Sequence, residues 1–118
     1  MLDLYTYKAN VIAVYDGDTI TVDMDLGVDV WIRNEKIRLY GINTPEVRGE
    51  ERMEGLKVRD YVRSMILGKT IMIRTYKDKT GKYGRLLADI YTLDGNECAE
   101  KSLNTVLLEL GYAEPYMV

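Results

Sequence analysis

Residues 11–24, VIAVYDGDTITVDM, carry the pattern of two β-strands joined by a tight turn. The first part, up to Tyr15, is continuously apolar, which predicts a strand that is buried on both sides. Asp16-Gly17 is a dipeptide typical of a hairpin turn. After the turn, polar and apolar residues alternate up to Met24, as they do in a strand with one face in the core. We therefore expect an antiparallel hairpin near the start of the fold.

The rest of the chain extends this hairpin into a mainly β fold. Strand patterns at 28–32 and 37–42 flank a predicted turn at 33–36, and two further strand patterns lie at 70–76 and 86–91. The connections are short, and no alternation of strands and helices indicates a parallel sheet. We therefore predict an α+β fold built on a five-stranded OB-fold barrel, a small closed Greek-key architecture.

Two helices complete the predicted fold, one between barrel strands 3 and 4 and one near the C-terminus. The first has apolar residues near the helical spacing of 3.6, namely Met53, Leu56, Tyr61, Met65 and Ile66. Gly68 is a natural residue to end it, whereas Gly55 inside it costs about 1 kcal/mol relative to alanine. In the second helix Ser102 is the predicted N-cap, and Gly111 follows the C-terminus. A polar loop is expected at 77–82.

Length and composition restrict the chemistry that this chain can perform. Its 118 residues predict one domain, 1–118, with a net charge of −3. The absence of histidine excludes Ser-His-Asp triads and His-ligated metals, and the one cysteine, Cys98, excludes a disulfide within the chain and a thiolate zinc cluster. Any metal must therefore be held by oxygen. Residues 1–30 carry six acids and one base, and residues 69–85 carry six bases and one acid. This asymmetry suits a metal site beside an anion site, or two solvated faces.

No segment has the length and apolarity of a membrane span, and the first residues lack the pattern of a signal peptide. We therefore expect a soluble, cytoplasmic monomer that makes no use of a membrane. The sequence is compatible with a cellular gene and with a virus-encoded one.

Two stretches place oxygen donors and an arginine at the ends of predicted strands. Asp16 and Asp18 are hard oxygen ligands two residues apart, although Asp-Gly also has a purely structural use in turns. Arg38 lies in an apolar strand and needs a partner, either in a site or in a salt bridge of the barrel wall. The segment 43–46, Asn-Thr-Pro-Glu, presents several oxygens on one extended loop, or it is simply the first turn before a helix.

A third stretch, Gly81-Lys82-Tyr83-Gly84-Arg85, brings three side chains together in one turn. The planar guanidinium of Arg85 can donate two parallel hydrogen bonds to one phosphate. Tyr83 offers a hydroxyl group and an aromatic face on which a base can stack. A basic hairpin loop in solvent is the structural alternative.

Taken together, Asp-Gly-Asp-Thr at 16–19, the arginine strand ending in Thr-Pro-Glu at 44–46, and Tyr-Gly-Arg at 83–85 resemble the staphylococcal nuclease (thermonuclease) family. The resemblance runs from about Lys8 to about Tyr116. It implies an OB barrel with packed helices that cleaves DNA and RNA with Ca²⁺ and leaves 3′-phosphate ends.

The resemblance also implies roles for individual residues. Arg38 and Arg85 are similar to the two guanidiniums that clamp the reacting phosphate, and Glu46 to the residue that holds the attacking water. Asp18 and the Thr44 carbonyl are similar to metal ligands. The remaining matched positions are Asn43 at a ligand position, Asp16 and Thr19 beside the metal, and Lys82, Tyr83, Leu87 and Tyr116 as contacts to the substrate.

The chain departs from the family pattern at two points. The family usually has aspartate where Asn43 stands, so we expect weaker Ca²⁺ binding, or a shift toward Mg²⁺ or Mn²⁺. The aromatic residue after the last helix aligns loosely, which leaves Tyr112 as the alternative to Tyr116. The competing function is a catalytically weak or inactive OB-fold module that binds single-stranded nucleic acid by charge and stacking. As an enzyme, the protein is expected to prefer single-stranded or frayed substrate.

Overall fold

The computed structural model describes residues 4–80 and 85–116, with the side chains of 77–80 left aside. It contains eight strands, two α-helices and one short 3₁₀ helix in this part of the chain. The strands are β1 (Thr6–Asp16), β2 (Thr19–Asp25), β3 (Trp31–Leu39), β4 (Ile42–Asn43), β5 (Thr70–Thr80), β6 (Leu86–Asp94), β7 (Glu97–Cys98) and β8 (Glu114–Pro115). The helices are the 3₁₀ turn Gly49–Glu51, α1 (Arg52–Ile66) and α2 (Leu103–Glu109). Lys82 and Tyr83, predicted to contact substrate, lie outside the described residues.

Five of the strands close into a barrel. The hydrogen-bonded order is β3-β2-β1-β5-β6-β7, and a parallel pairing between β3 and β6 joins the two ends. That closing pairing is short and runs from Ile37↔Leu86 to Leu39↔Ala88. Helix α1 lies between the third and fourth barrel strands, and α2 follows the barrel. The predicted five-stranded OB-fold of α+β class is confirmed.

The core fills the barrel, but β1 is buried on one side only. Ala9, Val11 and Val14 point inward, whereas Ile12 is 44% exposed and Tyr15 56% exposed. The prediction of a strand buried on both faces was therefore wrong. An outer strand face in this small barrel meets solvent unless a helix covers it, and the apolar run alone does not reveal this.

The β2–β3 connection lies earlier than the sequence pattern indicated. The turn occupies residues 26–30, where the Leu26 N–H donates to the Val30 carbonyl. Strand β3 then continues through the predicted turn at 33–36, with Asn34 in the left-handed region at φ 56°. Strand β5 likewise continues to Thr80, where a loop was expected from residue 77. At 33–36, polar residues on a largely exposed strand face caused the error.

The packing face of helix α1 only partly matches the predicted one, since Ile66 is buried and Tyr61 and Met65 pack against the core. Its buried residues are Gly55, Val58, Val62 and Ile66, and Met53 is 77% exposed. An added Cβ at Gly55 would lie 1.9 Å from the carbonyl oxygen of Glu46. Glycine therefore allows the helix to approach the segment that follows β4.

Helix α2 begins as the sequence predicts. The Ser102 hydroxyl accepts the Thr105 N–H at 3.1 Å, and Gly111 after the helix has φ 77°. Strand β8 then pairs with β4, with Asn43 opposite Glu114 and Ile42 opposite Pro115. The chain after α2 thus returns to the end of the barrel where β1 turns into β2. In the described part of the chain, neither helix has the length and apolarity needed to cross a membrane.

Candidate active site

The Asp16-Gly17-Asp18 turn is packed against helix α1. The Asp18 N–H donates to the Asp16 carboxylate at 3.1 Å, which closes the turn. An added Cβ at Gly17 would lie 2.5 Å from Val58 and 2.9 Å from Thr44, so only glycine fits without displacement. The close packing fixes the direction in which the next carboxylate points.

Asp18 is 5% exposed and lies at the centre of a network of hydrogen bonds. Its Oδ2 accepts from Arg38 Nη1 at 2.8 Å and from the Thr44 N–H at 3.0 Å. Its Oδ1 accepts from the Thr19 hydroxyl at 3.2 Å. A buried carboxylate needs such partners to offset the loss of hydration. The partner that Arg38 required is therefore Asp18.

The Arg38 guanidinium is held from three further directions. Its Nη2 donates to the Ile42 carbonyl at 3.1 Å and to the Asn43 side-chain oxygen at 3.4 Å. The ring of Tyr116 lies 5.3 Å from the guanidinium carbon. The Tyr116 N–H donates to the Gly41 carbonyl, which places this ring beside Arg38. Arg38 is thus oriented before any ligand arrives.

Arg85 joins the same network through Thr19. Its Nη1 donates to the Thr19 hydroxyl at 3.2 Å, and that hydroxyl is bonded to Asp18. The two arginines are therefore linked through Thr19 and Asp18 at one end of the barrel. Leu87, opposite Arg38 in the β3–β6 pairing, is 2% exposed.

The two aspartates of the turn differ in their protonation. Burial, together with the hydrogen bond to Asp18 and its negative charge, raises the pKa of Asp16 to about 7. Burial alone would raise the pKa of Asp18, but hydrogen bonds from Asp16, the Thr44 N–H and Arg38 outweigh it and hold that pKa below its ordinary value. Asp18 is consequently the charged member of the pair, and Asp16 shares a proton with it.

The segment after β4 carries the other predicted residues. Thr44 is buried, and its hydroxyl makes no hydrogen bond to the described residues. Glu46 is exposed, and no contact of its carboxylate with another described side chain is seen. A cavity of about 130 Å³ opens beside the segment. Its lining residues include Asn43, Thr44, Tyr112 and Glu114.

The donor set near Asp18 suits a hard cation. Within residues 4–80 and 85–116, no three acidic or thiol side chains gather into a metal-binding group. The oxygens at hand are the paired carboxyls of Asp16 and Asp18, the Asn43 amide oxygen and the unpartnered Thr44 hydroxyl. Ca²⁺ and Mg²⁺ bind such oxygens, and a cation beside two carboxyls replaces the proton that they share.

The sequence pattern did not reveal Glu114, and it left the choice between Tyr112 and Tyr116 open. Glu114 lies opposite Asn43 in the β4–β8 pairing and brings a carboxylate to the cavity. Tyr112, the alternative aromatic residue, packs on Tyr61 at a ring distance of 5.2 Å, whereas Tyr116 is the one beside Arg38. Both placements depend on a pairing between distant segments, which no local motif signals.

Comparisons with known proteins identify a family and several relatives. The family model described as staphylococcal nuclease homologue matches residues 36–118. The chain is 32% identical over 89 residues to the thermonuclease of Staphylococcus hyicus, covering 73% of this chain. It is 29% identical over 132 residues to the uncharacterized protein MJ1439 of Methanocaldococcus jannaschii, and 26% identical over 121 residues to the endonuclease YhcR of Bacillus subtilis, covering 94% and 95% of this chain.

The aligned regions make up only part of these relatives. They cover 60% of the Methanocaldococcus jannaschii protein, 48% of the thermonuclease and 9% of the endonuclease. The family model, in contrast, matches well over half of the present chain. The chain therefore belongs to the family of staphylococcal nuclease homologues.

Proposed function

We propose that this protein is a metal-dependent endonuclease that hydrolyses phosphodiester bonds of DNA and RNA, prefers single strands and leaves 3′-phosphate ends. The observation that carries the proposal is the hydrogen-bonded chain Arg85–Thr19–Asp18–Arg38. It gathers two guanidiniums beside oxygen donors at one end of a barrel. Membership of the family of staphylococcal nuclease homologues supports nuclease activity, as do relatives named thermonuclease and endonuclease.

The two arginines bind the reacting phosphate in this mechanism. A phosphodiester is an anion, and more negative charge collects on its phosphoryl oxygens in the transition state. Guanidiniums that are already oriented stabilise this charge without reorganising, an effect worth about 3 kcal/mol for each donor. Arg38 meets this requirement because Asp18 and the Ile42 carbonyl hold it in place.

Glu46 acts as the general base. Its exposed carboxylate accepts a proton from a water molecule as the water oxygen attacks phosphorus. The bond between phosphorus and the 5′-oxygen breaks, and the 5′-oxygen leaves with a proton from solvent. The products are a 3′-phosphate and a 5′-hydroxyl. A carboxylate in this role explains how a chain without histidine performs hydrolysis.

Asp18, the Thr44 carbonyl and Asn43 would hold the metal, with Asp16 and Thr19 supporting Asp18. A bound divalent cation, with Ca²⁺ favoured and Mg²⁺ or Mn²⁺ as alternatives, supplies positive charge beside the phosphate. Asn43 contributes an oxygen but no charge, and it also receives a hydrogen bond from Arg38. Metal affinity is therefore lower than a second ligating carboxylate would provide, and an Asn43→Asp variant should bind Ca²⁺ more tightly.

We propose substrate contacts at the same end of the barrel. The ring of Tyr116 beside Arg38 offers a stacking face. Leu87 is 2% exposed, so its proposed part is to support the base site from beneath. Lys82 and Tyr83 are proposed to bind a neighbouring phosphate. An unpaired strand exposes its bases to these groups, so cleavage of a single-stranded oligonucleotide should exceed that of the matching duplex. The protein is proposed to act as a monomer.

Cleavage of a single-stranded oligonucleotide in EDTA, Ca²⁺, Mg²⁺ and Mn²⁺ tests the proposal. Wild-type protein should cut only with metal, and Glu46→Gln should reduce the rate by about 10²–10⁴-fold, the range typical of a general base. Glu97→Gln, which removes an exposed carboxylate on β7, is the matched control and should cut normally. Arg38→Ala should also abolish cutting. Binding without cutting in every metal would instead support a binding module.

A further inference from the structure

We propose that the outer face of strands β1, β5 and β6 is a second binding surface for single-stranded nucleic acid, continuous with the candidate active site. The inference rests on the proposed function, because it extends the path of the same substrate. The residues that form this outer strip are Lys8, Lys69, Met72, Arg74 and Tyr91.

The path begins at the candidate site and follows β6. Side chains of a strand alternate between its faces, so Leu87, Asp89 and Tyr91 share one side. Leu87 lies opposite Arg38 in the β3–β6 pairing but is only 2% exposed. The accessible path therefore starts beside it, at the half-buried Tyr40, whose N–H donates to the Ala88 carbonyl. From Leu87 to the far end of this face at Leu93 the strand spans about 20 Å, which is enough for several nucleotides.

The middle of the path presents aromatic rings. Tyr40 and Tyr76 stack with ring centroids 3.9 Å apart. The Tyr76 hydroxyl donates to Asp89 at 2.7 Å, so the acid on this face is already engaged. Tyr91 lies two residues further along the strand. Aromatic faces bind successive bases without sequence preference.

The outer strip then becomes positively charged. Arg74 on β5 lies opposite Asp89 on β6 and opposite Thr6 on β1. Lys8 on β1 lies opposite Met72 on β5. Among the residues that the structure describes, Arg74, Lys8 and Lys69 form no ion pair, although other cations such as Arg33 and Lys101 do. Unpaired cations beside aromatic rings are complementary to a phosphate backbone that carries exposed bases.

The surface is concave where it meets these charges. A groove of about 180 Å³ is bounded by Thr6, Met72, Arg74, Tyr91, Cys98 and Ala99, where β7 pairs with the end of β6. A second groove of about 590 Å³ has Lys8 and Lys69 in its lining. A flexible single strand can place its bases on the Tyr91 ring, whereas the bases of a duplex are stacked inside it and do not reach the ring. The surface therefore favours single strands over double-stranded DNA.

Binding of fluorescent oligothymidylates in EDTA, followed by anisotropy, tests the inference without cleavage. OB folds bind about 4–16 nucleotides, so one probe should have about 15 nucleotides and the other about three. Arg74→Gln and Lys8→Gln should each weaken binding of the long probe and lower its salt dependence by about 0.7 in the logarithmic slope. Binding of the short probe should not change. Lys101→Gln, which removes a paired lysine, is the control and should behave like wild type.

Tyr91→Ala should weaken binding of the long probe about tenfold, the loss expected for one stacked base. Tyr91→Leu keeps apolar bulk and separates stacking from packing, since it should lose affinity while unfolding at the wild-type temperature. In cleavage assays, Arg74→Gln should raise KM for the long substrate and leave kcat unchanged.

The outcomes separate this inference from the proposed function. If the wild type cuts both lengths and Arg74→Gln matches it in binding and KM, the outer strip is not a binding surface, while the nuclease proposal stands. If the variants lose affinity but no metal supports cleavage, the surface is real and the nuclease proposal fails. A third outcome is that polyglutamate displaces the long probe as effectively as unlabelled oligothymidylate does. That result would point to an acidic protein partner and overturn the inference.

Discussion

Two aspartates two residues apart acquire opposite electrostatic properties from their surroundings. Asp18 faces Arg38 and the Thr44 N–H, which favour its charged form, whereas Asp16 has a half-buried carboxyl beside that charge. The pair therefore holds one proton near neutral pH when no metal is present. The two carboxylates repel each other when both are charged, and a cation bound beside them would reduce this repulsion.

The paired carboxyls predict a distinctive pH dependence of stability in the metal-free protein. The pKa of Asp16 is about 7 in the folded protein, against an ordinary value of 3.8 for an aspartate, so the free energy of unfolding should fall as pH rises between these values. Asp18, whose pKa is lowered, stabilises the fold above its unfolded pKa and loses this effect as pH falls.

Asp16→Asn should remove the neutral-pH part of this dependence. It keeps an oxygen to accept the Asp18 N–H but has no proton to lose. Because Asp16 is partly exposed, we expect the variant to be more stable than wild type by only about 1 kcal/mol at pH 8 and equally stable near pH 4. Urea denaturation in EDTA at both pH values measures the difference. Asp94→Asn, at an exposed turn, should show no such pH dependence, and a variant curve parallel to wild type would contradict the argument.

At the scale of elements, helix α1 shows a conflict between local preference and packing. Gly55 lowers helix propensity, yet it allows the helix backbone to lie against the carbonyl of Glu46. The same contact supports the segment that carries the proposed general base. A helix-weakening residue is therefore retained at a position where an ordinary side chain cannot fit.

Gly55→Ala should destabilise the protein, although alanine favours helix by about 1 kcal/mol. The new Cβ would force α1 away from the Glu46 backbone, at an expected net cost of about 2 kcal/mol. Cleavage should fall as well, because Glu46 moves. Ser64→Ala on the exposed side of the same helix should be neutral or slightly stabilising. A stabilised Gly55→Ala variant in urea denaturation would show that the helix does not pack this closely.

At the scale of the whole molecule, the barrel closes through few hydrogen bonds and relies on a side chain for support. The β3–β6 pairing spans three residue pairs. Asn104 on α2 is buried and donates to the carbonyls of Tyr40 and Ala88, and its oxygen accepts the Ile90 N–H. One amide thus joins α2, β6 and the segment that follows β3.

Asn104→Ala should cost about 3 kcal/mol, because it leaves buried backbone groups without partners. Asn96→Ala, in the exposed turn between β6 and β7, should change stability by less than about 0.5 kcal/mol. Chemical denaturation of both variants measures the difference. Equal stabilities would mean that water replaces the amide, and that barrel closure does not depend on it.

Local chemistry along the chain was sufficient to predict most elements. The hairpin at Asp16-Gly17, the Ser102 cap and four of the barrel strands follow from hydrogen bonds and periodicities that act over a few neighbouring residues, whereas the local pattern divided β3 in two. Errors arose where exposure mattered, as at Tyr15 and Met53, because an apolar residue looks the same in sequence whether its face is covered or not.

The sequence by itself determined the barrel, the two helices and the restriction of any metal site to oxygen ligands, since no histidine and only one cysteine are present. Only the tertiary structure decided that Arg38 pairs with Asp18, that Gly55 sets the buried face of α1, and that β8 brings Tyr116 to Arg38. The physical reason is distance along the chain. Asp18 and Thr44 are 26 residues apart, and contacts at such separations depend on the path of the closed barrel rather than on any local preference.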